Sequence, residues 1–355
     1  MATAHSESAR YKPVVEIFAD ERHSYYERMA RELYQRVNAL VAPEVIYDWI
    51  KVQNEKVAPA DTTSAVMQWQ PSFEIYDAEI ARRIALAQLP EAERKLFNWP
   101  WASWNRLIDP IEPGMLAIAA APDGTGKTIV GENLAEYWAR KGQHVAFVHF
   151  ELSRFIMLDR RTARHTSIAR RQLKLAGDLT TKDLADIEEA KRRLLAWPGS
   201  ISYVHTPGWT IELVLRELTR MIASGECDIA VIDYLEKASP SDRQLKTYGA
   251  NHLQREANDV DLLKDFSEAN GVPMFLLSQF NKFGKQVSFK DLDRNAIRGA
   301  GEKSEKANVV ILMQPDDVPD SRTINFKLDK NTLGPHGTWQ MYADFPCFQV
   351  FDLAQ

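Results

Sequence analysis

The chain has 355 residues, of which 45% are hydrophobic and 26% charged, a composition that can bury a full core and excludes a disordered or low-complexity chain. Its formal net charge of −5 excludes a uniformly basic, duplex-coating protein, so any nucleic-acid contact must be local, along a groove or in a pore. Cys227 and Cys347, the two cysteines, lie too far apart in sequence for a disulfide framework or metal-type spacing. The opening residues contain no apolar signal segment and no apolar run approaches the length of a membrane span, so a cytoplasmic setting without a membrane partner is expected.

In chain order, residues 1–10 are polar and read as a disordered start. Residues 20–41 follow a helical pattern, with Tyr25, Met29, Leu33, Val37 and Leu40 recurring every three or four positions. Pro43 suits the first turn of a second helix reaching about residue 57. Residues 58–64 form a polar linker, and residues 77–89 read as a further helix capped by Asp77. Residues 1–96 are thus expected to make a small all-helical module and linker without a catalytic constellation, suited to packing or subunit contact. The aromatic stretch Phe97-Asn98-Trp99-Pro100-Trp101-Ala102-Ser103-Trp104 marks the boundary. A hydrophobic anchor to the following domain or to a neighbouring subunit is favoured over a stacking surface for a base or DNA.

Residues 115–121 form a continuous apolar run, the pattern of a strand buried on both faces. It breaks at Pro122-Asp123-Gly124-Thr125-Gly126, because Pro removes a ladder donor and Gly favours turns. Lys127-Thr128 then opens a helix over residues 129–141. Strand, glycine-bearing loop, Lys-Thr and helix is the arrangement that holds a nucleoside triphosphate. Ala121, Pro122, Asp123, Gly124, Thr125 and Gly126 would wrap the phosphates, Lys127 would neutralise the β and γ oxygens, and Thr128 would ligate Mg²⁺. ATP and Mg²⁺ are the expected ligands. The strict pattern starts with Gly where this chain has Ala121, but Gly124, Gly126 and the flanking elements keep the loop intact.

Regular alternation follows. Strands are expected at 145–150, 201–205, 229–232, 274–277 and 309–313, with helices at 154–168, 178–196, 210–223 and 253–270 between them, and late strands at 323–328 and 338–344. The fold class is α/β, a largely parallel twisted sheet flanked by helices. Strand ends in such a sheet project into one crevice. Glu151 follows the second strand and would orient and deprotonate the attacking water. Asp233 ends the fourth and would hold Mg²⁺. Gln279 ends the fifth and would sense the γ-phosphate by hydrogen bonding.

These ordered motifs resemble the RecA-like motor of DnaB-type bacterial replicative helicases over roughly residues 98–353. A loop beginning with Ala fits that family. Its later motifs are matched by Glu151-Leu152, by Asp233-Tyr234-Leu235 and by Leu277-Ser278-Gln279-Phe280-Asn281-Lys282. Arg298-Gly299-Ala300-Gly301 before Ala307-Asn308-Val309 matches its Arg-x-x-Gly signature. Lys330-Asn331-Thr332-Leu333-Gly334-Pro335-His336-Gly337-Thr338 matches its Lys-x-Arg-Asn-Gly-Pro-x-Gly segment, with Thr332 where the family has Arg. The resemblance implies a RecA-like P-loop ATPase motor over residues 97–355, with Lys330 entering a neighbouring subunit's ATP site. It implies a homo-oligomer, a hexameric ring, that translocates on single-stranded DNA with a loader or primase as partner. Two loops would contact DNA, one through Arg243 and Lys246, the other through Lys282, Lys285, Lys290, Arg294 and Arg298. The expected function is an ATP-dependent DNA helicase in replication. The rivals are a RecA-like switch or assembly ATPase that does not unwind DNA, suggested by Thr332 and the acidic charge, and a DNA-binding recombinase.

Overall fold

The computed structural model of the protein describes residues 69–89, 96–318, 321–332 and 334–353; the helices expected at 20–41 and 43–57, the linker at 58–64 and the opening ten residues lie outside them. Two units are distinguished, residues 1–85 and 86–355. The described part of the first is helix α1, Trp69–Gln88, which continues into the first residues of the second. It starts at Trp69 rather than at an Asp77 cap. Pro71 falls in the first turn, where a backbone N–H has no intrahelical acceptor to lose. Glu79 accepts hydrogen bonds from Arg82 and Arg83 one turn on, a pairing that supports an exposed helix.

The second unit is built on one nine-stranded sheet. In chain order its strands are β1 Leu116–Ala121, β2 His144–His149, β3 Ser200–His205, β4 Ile229–Asp233, β5 Met274–Gln279, β6 Val309–Pro315, β7 Thr323–Asn331, β8 Gly337–Asp344 and β9 Gln349–Asp352. They lie in the order β3-β2-β4-β5-β1-β6-β7-β8-β9. The pairs from β3 to β6 are parallel, and β7, β8 and β9 add on antiparallel. The sheet is therefore mixed, with its mostly parallel part at the heart. All six residues of β1 are buried, as expected of a central strand covered on both faces.

Alternate side chains of the central strands feed two cores. Ala117, Ala119, Phe147, Val231, Phe275 and Leu277 pack under α3, Lys127–Arg140. Ile118, Val148, Ile232 and Leu276 pack under α7, Ile211–Ala223, and α9, His252–Asn270. The aromatic stretch belongs to the first core, around the short helix α2, Ala102–Asn105. Phe97, Trp99, Trp101 and Trp104 are buried, and every indole N–H of the three tryptophans has a partner. Trp99 donates to the Ile108 and Asp109 carbonyls, Trp101 to the Val350 carbonyl at 2.8 Å, and Trp104 to Met341 Sδ. The stretch is an anchor inside the core of the second unit, and its tryptophans present no stacking surface.

Several element boundaries differ from the sequence pattern. Helix α4, Arg154–Thr166, stops because Ser167 turns left-handed at φ 61, and a separate short helix α5, Arg170–Leu175, follows. Helix α6, Thr181–Leu195, begins at a capping box in which Thr180 and Asp183 satisfy each other's backbone. The segment 237–252 is not an open loop. It contains α8, Asp242–Tyr248, capped by a Ser241–Gln244 box. Helix α10, Ala300–Lys306, precedes β6. Among the described residues no helix is long and apolar enough to cross a membrane.

Candidate active site

Strand register assembles the site. Ala121, at the end of β1, pairs with Gln279 at the end of β5, and Asp233, at the end of β4, pairs with His149 of β2 two residues before Glu151. The phosphate loop and three polar strand ends therefore open on one edge of the sheet. The loop turns at Gly124 and Gly126, both with positive φ, the latter at 100°. That φ is strained for any residue with a side chain, so glycine is favoured there by the backbone alone, since a Cβ would make only ordinary contact with the Phe345 ring at 3.4 Å. Helix α3 starts at once, and its unpaired first-turn N–H groups and positive dipole end suit an anion.

Lys127 donates to the carbonyl oxygens of Ala121 at 3.0 Å and Pro122 at 2.8 Å. Burial lowers its pKa, against the pull of Asp123 and Asp233. Asp233 is buried, and its Oδ1 has no hydrogen-bond partner among the described residues. Burial pushes its carboxyl up to about 6, opposed by the hydrogen bond from Thr128. A threonine hydroxyl beside an unsatisfied buried carboxylate oxygen, at the mouth of a phosphate loop, is a fitting donor set for Mg²⁺. Glu151 is 55% exposed, accepts from the Tyr234 hydroxyl at 3.3 Å and lies 3.9 Å from the Lys237 ammonium.

Asp123 is held from two sides. Gln279 Nε2 donates to Oδ1 at 2.6 Å, and Lys285 Nζ lies 2.7 Å from Oδ2 and depresses the carboxyl pKa. Asp123, Gly124, Gly126, Lys127, Thr128, Glu151 and Gln279 line one cleft of about 730 Å³. Ala121, Pro122 and Thr125 complete the loop behind this surface.

The model of the "DnaB-like helicase C terminal domain" matches residues 101–349. The chain belongs to this family. Membership makes it a DNA helicase of the replicative class. Among solved structures, one described as an ATPase domain is similar with a TM-score of 0.67 and 16% identity, covering 79% of this chain and 98% of that one. A DnaB-like replicative helicase, described with its interactions with primase, is similar with a TM-score of 0.71 and 15% identity, covering 100% of this chain and 81% of that one. No curated protein matches by sequence. The fold these structures share is the RecA-like one that the ordered motifs implied.

The helicase brings only some of the expected DNA-contact residues together. Lys282, Lys285 and Arg298 line a second cleft of about 780 Å³ with residues 251–254, and Gln279, Lys285 and Arg298 stand at its border with the nucleotide cleft, whose own lining includes Gln279 and Arg298. Arg243 and Lys246 are exposed on α8, and Lys290 is exposed on the second loop, all outside these two linings. Arg294 is turned to β7, its Nε 2.9 Å from Asp329. Lys330 lies outside the nucleotide cleft and donates to the carbonyls of Ser304 and Glu305 at the end of α10. Thr332, at the arginine position, is tied by its hydroxyl and its N–H to the Asn308 carbonyl. Lys327 donates to the Leu292 carbonyl.

Arg160, Tyr234, Glu236, Lys237 and Phe345 also line the nucleotide cleft, and sequence reasoning gave none of them a role there. Tyr234, Glu236 and Lys237 stand within four residues of Asp233, so position alone could have suggested them. Arg160 faces the cleft from α4, paired with buried Glu132 and stacked 4.6 Å over Phe348. Phe345 comes from the turn after β8, and only the sheet topology brings it to the loop.

Proposed function

We propose that this helicase domain hydrolyses ATP at the cleft and uses the cycle to move along single-stranded DNA as a ring of copies, hexameric by family resemblance, separating duplex strands during replication. The observation that carries the reading is the convergence of Lys127, the Thr128–Asp233 pair, Glu151 and Gln279 on one opening.

In this mechanism Lys127 exchanges its two carbonyl partners for triphosphate oxygens. Mg²⁺, when bound at Thr128 and Asp233, supplies counter-charge to the phosphates. Glu151 has the exposure to meet a water and takes its proton as that water attacks the γ-phosphorus. Tyr234 orients the carboxylate. Gln279, hydrogen-bonded to Asp123, sits where it can change partner with the γ-phosphate. Phe345 offers an apolar wall for the base. Lys282, Lys285 and Arg298 would grip backbone phosphates without base readout.

Lys330 acts on a neighbouring copy's nucleotide in this reading. Thr332 is committed to the Asn308 carbonyl, and the missing arginine charge is supplied by Arg294, which Asp329 holds close enough to Lys330 to depress its pKa after the effect of burial. The primase named with the similar helicase structure supports a primase as partner; a loader as partner and a cytoplasmic setting are part of the same proposal. Unwinding of a forked DNA with a 5′ tail, compared between wild type and Lys127→Ala, tests the proposal. ATP-dependent unwinding lost in Lys127→Ala supports it. ATP binding without unwinding would favour the switch, and strand exchange without unwinding the recombinase.

A further inference from the structure

Behind the cleft runs a set of buried charges that the hydrolysis chemistry does not use. Lys303, on α10, is fully buried, and its ammonium lies 2.9 Å from both Glu236 Oε1 and Glu256 Oε2. Glu236 stands three residues beyond Asp233. Its Oε1 also accepts from Ser278 Oγ at 2.5 Å and from the Gln279 backbone N–H at 3.2 Å. Glu256, on α9, pairs through Oε1 with Arg298 Nε at 3.2 Å. Arg298 ends the loop 282–298 and returns to the nucleotide cleft. The loop end is seated on the lysine itself, since a Cβ at Gly299 would lie 3.2 Å from Lys303 Cε.

Buried ions are costly to desolvate, and apolar residues could join the same elements without that penalty. What the ions add is direction, because each hydrogen bond fixes the position of its donor. Here the donors are the end of β5, which carries Gln279, and the end of the loop, which carries Arg298. Glu236 Oε2 is buried without a hydrogen-bond partner among the described residues. A second acceptor therefore stands beside the first, should the β5 end shift. Two arrangements of one network are what coupling between sites requires.

We propose that Lys303 is a positioning residue whose ion pairs with Glu236 and Glu256 hold Gln279 and Arg298 in one register, so that the nucleotide state sensed at Gln279 is passed to the loop 282–298. The inference rests on the proposed function for the roles of Gln279 and the loop. Two variants of the full chain test it. Ser278→Ala removes one donor to Glu236, and Lys303→Met/Glu236→Gln neutralises the pair while leaving Glu256 with Arg298. For each, amide hydrogen exchange of residues 282–298 is measured with and without the Mg²⁺ complex of a non-hydrolysable ATP analogue. ATPase stimulation by oligo-dT and affinity for the analogue are measured alongside.

In wild type the analogue is expected to change loop exchange at least threefold. In both variants that response falls below 1.5-fold and DNA stimulation drops at least fivefold, with analogue affinity kept within about twofold in Ser278→Ala, whose side chain lies outside the cleft lining. A loop response as large as wild type in either folded variant overturns the relay. If the double variant does not fold, Ser278→Ala decides alone by the same two results. A wild-type loop response lost in Ser278→Ala, without DNA stimulation in any protein, would uphold the relay and sink the motor reading. DNA stimulation shared equally by wild type and variants would do the reverse.

Discussion

Asp259 gives a quantitative handle on how the helix α8 is held. Its carboxylate is 5% exposed on α9 and accepts from Gln244 Nε2, of α8, at 2.6 Å. Burial pushes its pKa up to about 7, with Glu212 and Glu256 adding to the shift and the Gln244 bond and Lys303 opposing it. A carboxyl raised in the folded state binds its proton more tightly than in the unfolded chain. Its stability contribution is therefore intact below the unfolded pKa of 3.8 and lost as pH rises through about 7. The slope approaches about 1.4 kcal/mol per pH unit inside that window, so the loss between pH 5 and pH 8 is roughly 2.5 kcal/mol. Asp259→Asn keeps an oxygen for Gln244 and removes the titration. Urea unfolding of both proteins at pH 5 and pH 8 should therefore show wild type losing roughly 2.5 kcal/mol relative to the variant. Parallel pH dependence in the two proteins would refute the argument, because it would mean that Asp259 carries no raised pKa in the folded chain.

Three further outcomes follow from the packing and the site. Trp104→Ala removes a fully buried ring packed against Trp99, Trp101, Phe275, Phe326 and Trp339, and should cost about 3–5 kcal/mol in chemical unfolding; a loss under about 1 kcal/mol would show that the anchor is not in the core. Gly284→Ala would place a Cβ 2.5 Å from Ala296 Cβ and 2.6 Å from the Ala296 oxygen, so the loop must open at a cost of about 1–3 kcal/mol. Oligo-dT affinity should fall by more than nucleotide affinity, which the Lys285–Asp123 pair ties to the same loop, and unchanged DNA affinity would contradict that. Arg294→Ala should lower kcat at least tenfold with KM for ATP within about twofold, whereas a change confined to DNA affinity would return Arg294 to the DNA loop.

How much was legible beforehand depended on how local the signal was. The phosphate loop, Glu151, Asp233 and Gln279 each follow a short apolar run, and parallel strands in register bring such ends to one edge. Alternation of strands and helices was likewise enough for the mostly parallel centre. Residues 237–252 were harder, because the cap of α8 is a side-chain box and its buried contact, Gln244 with Asp259, spans two helices. Lys303 reads as a surface lysine in a charged stretch, and only the meeting of α9, α10 and the end of β4 makes it a buried partner of two glutamates. The aromatic stretch was legible as an anchor, while the side chains it packs against lie mostly more than 150 positions away.

The central claim is that this cleft hydrolyses ATP in response to single-stranded DNA. The most direct measurement is the ATPase rate with and without oligo-dT for wild type and Glu151→Gln, with nucleotide binding measured on both. Wild type should show strong DNA stimulation, and Glu151→Gln a rate lowered at least a hundredfold with ATP still bound, as expected when the base is lost and the loop is kept. A low rate indifferent to DNA, or a Glu151→Gln protein that turns over like wild type, would contradict it.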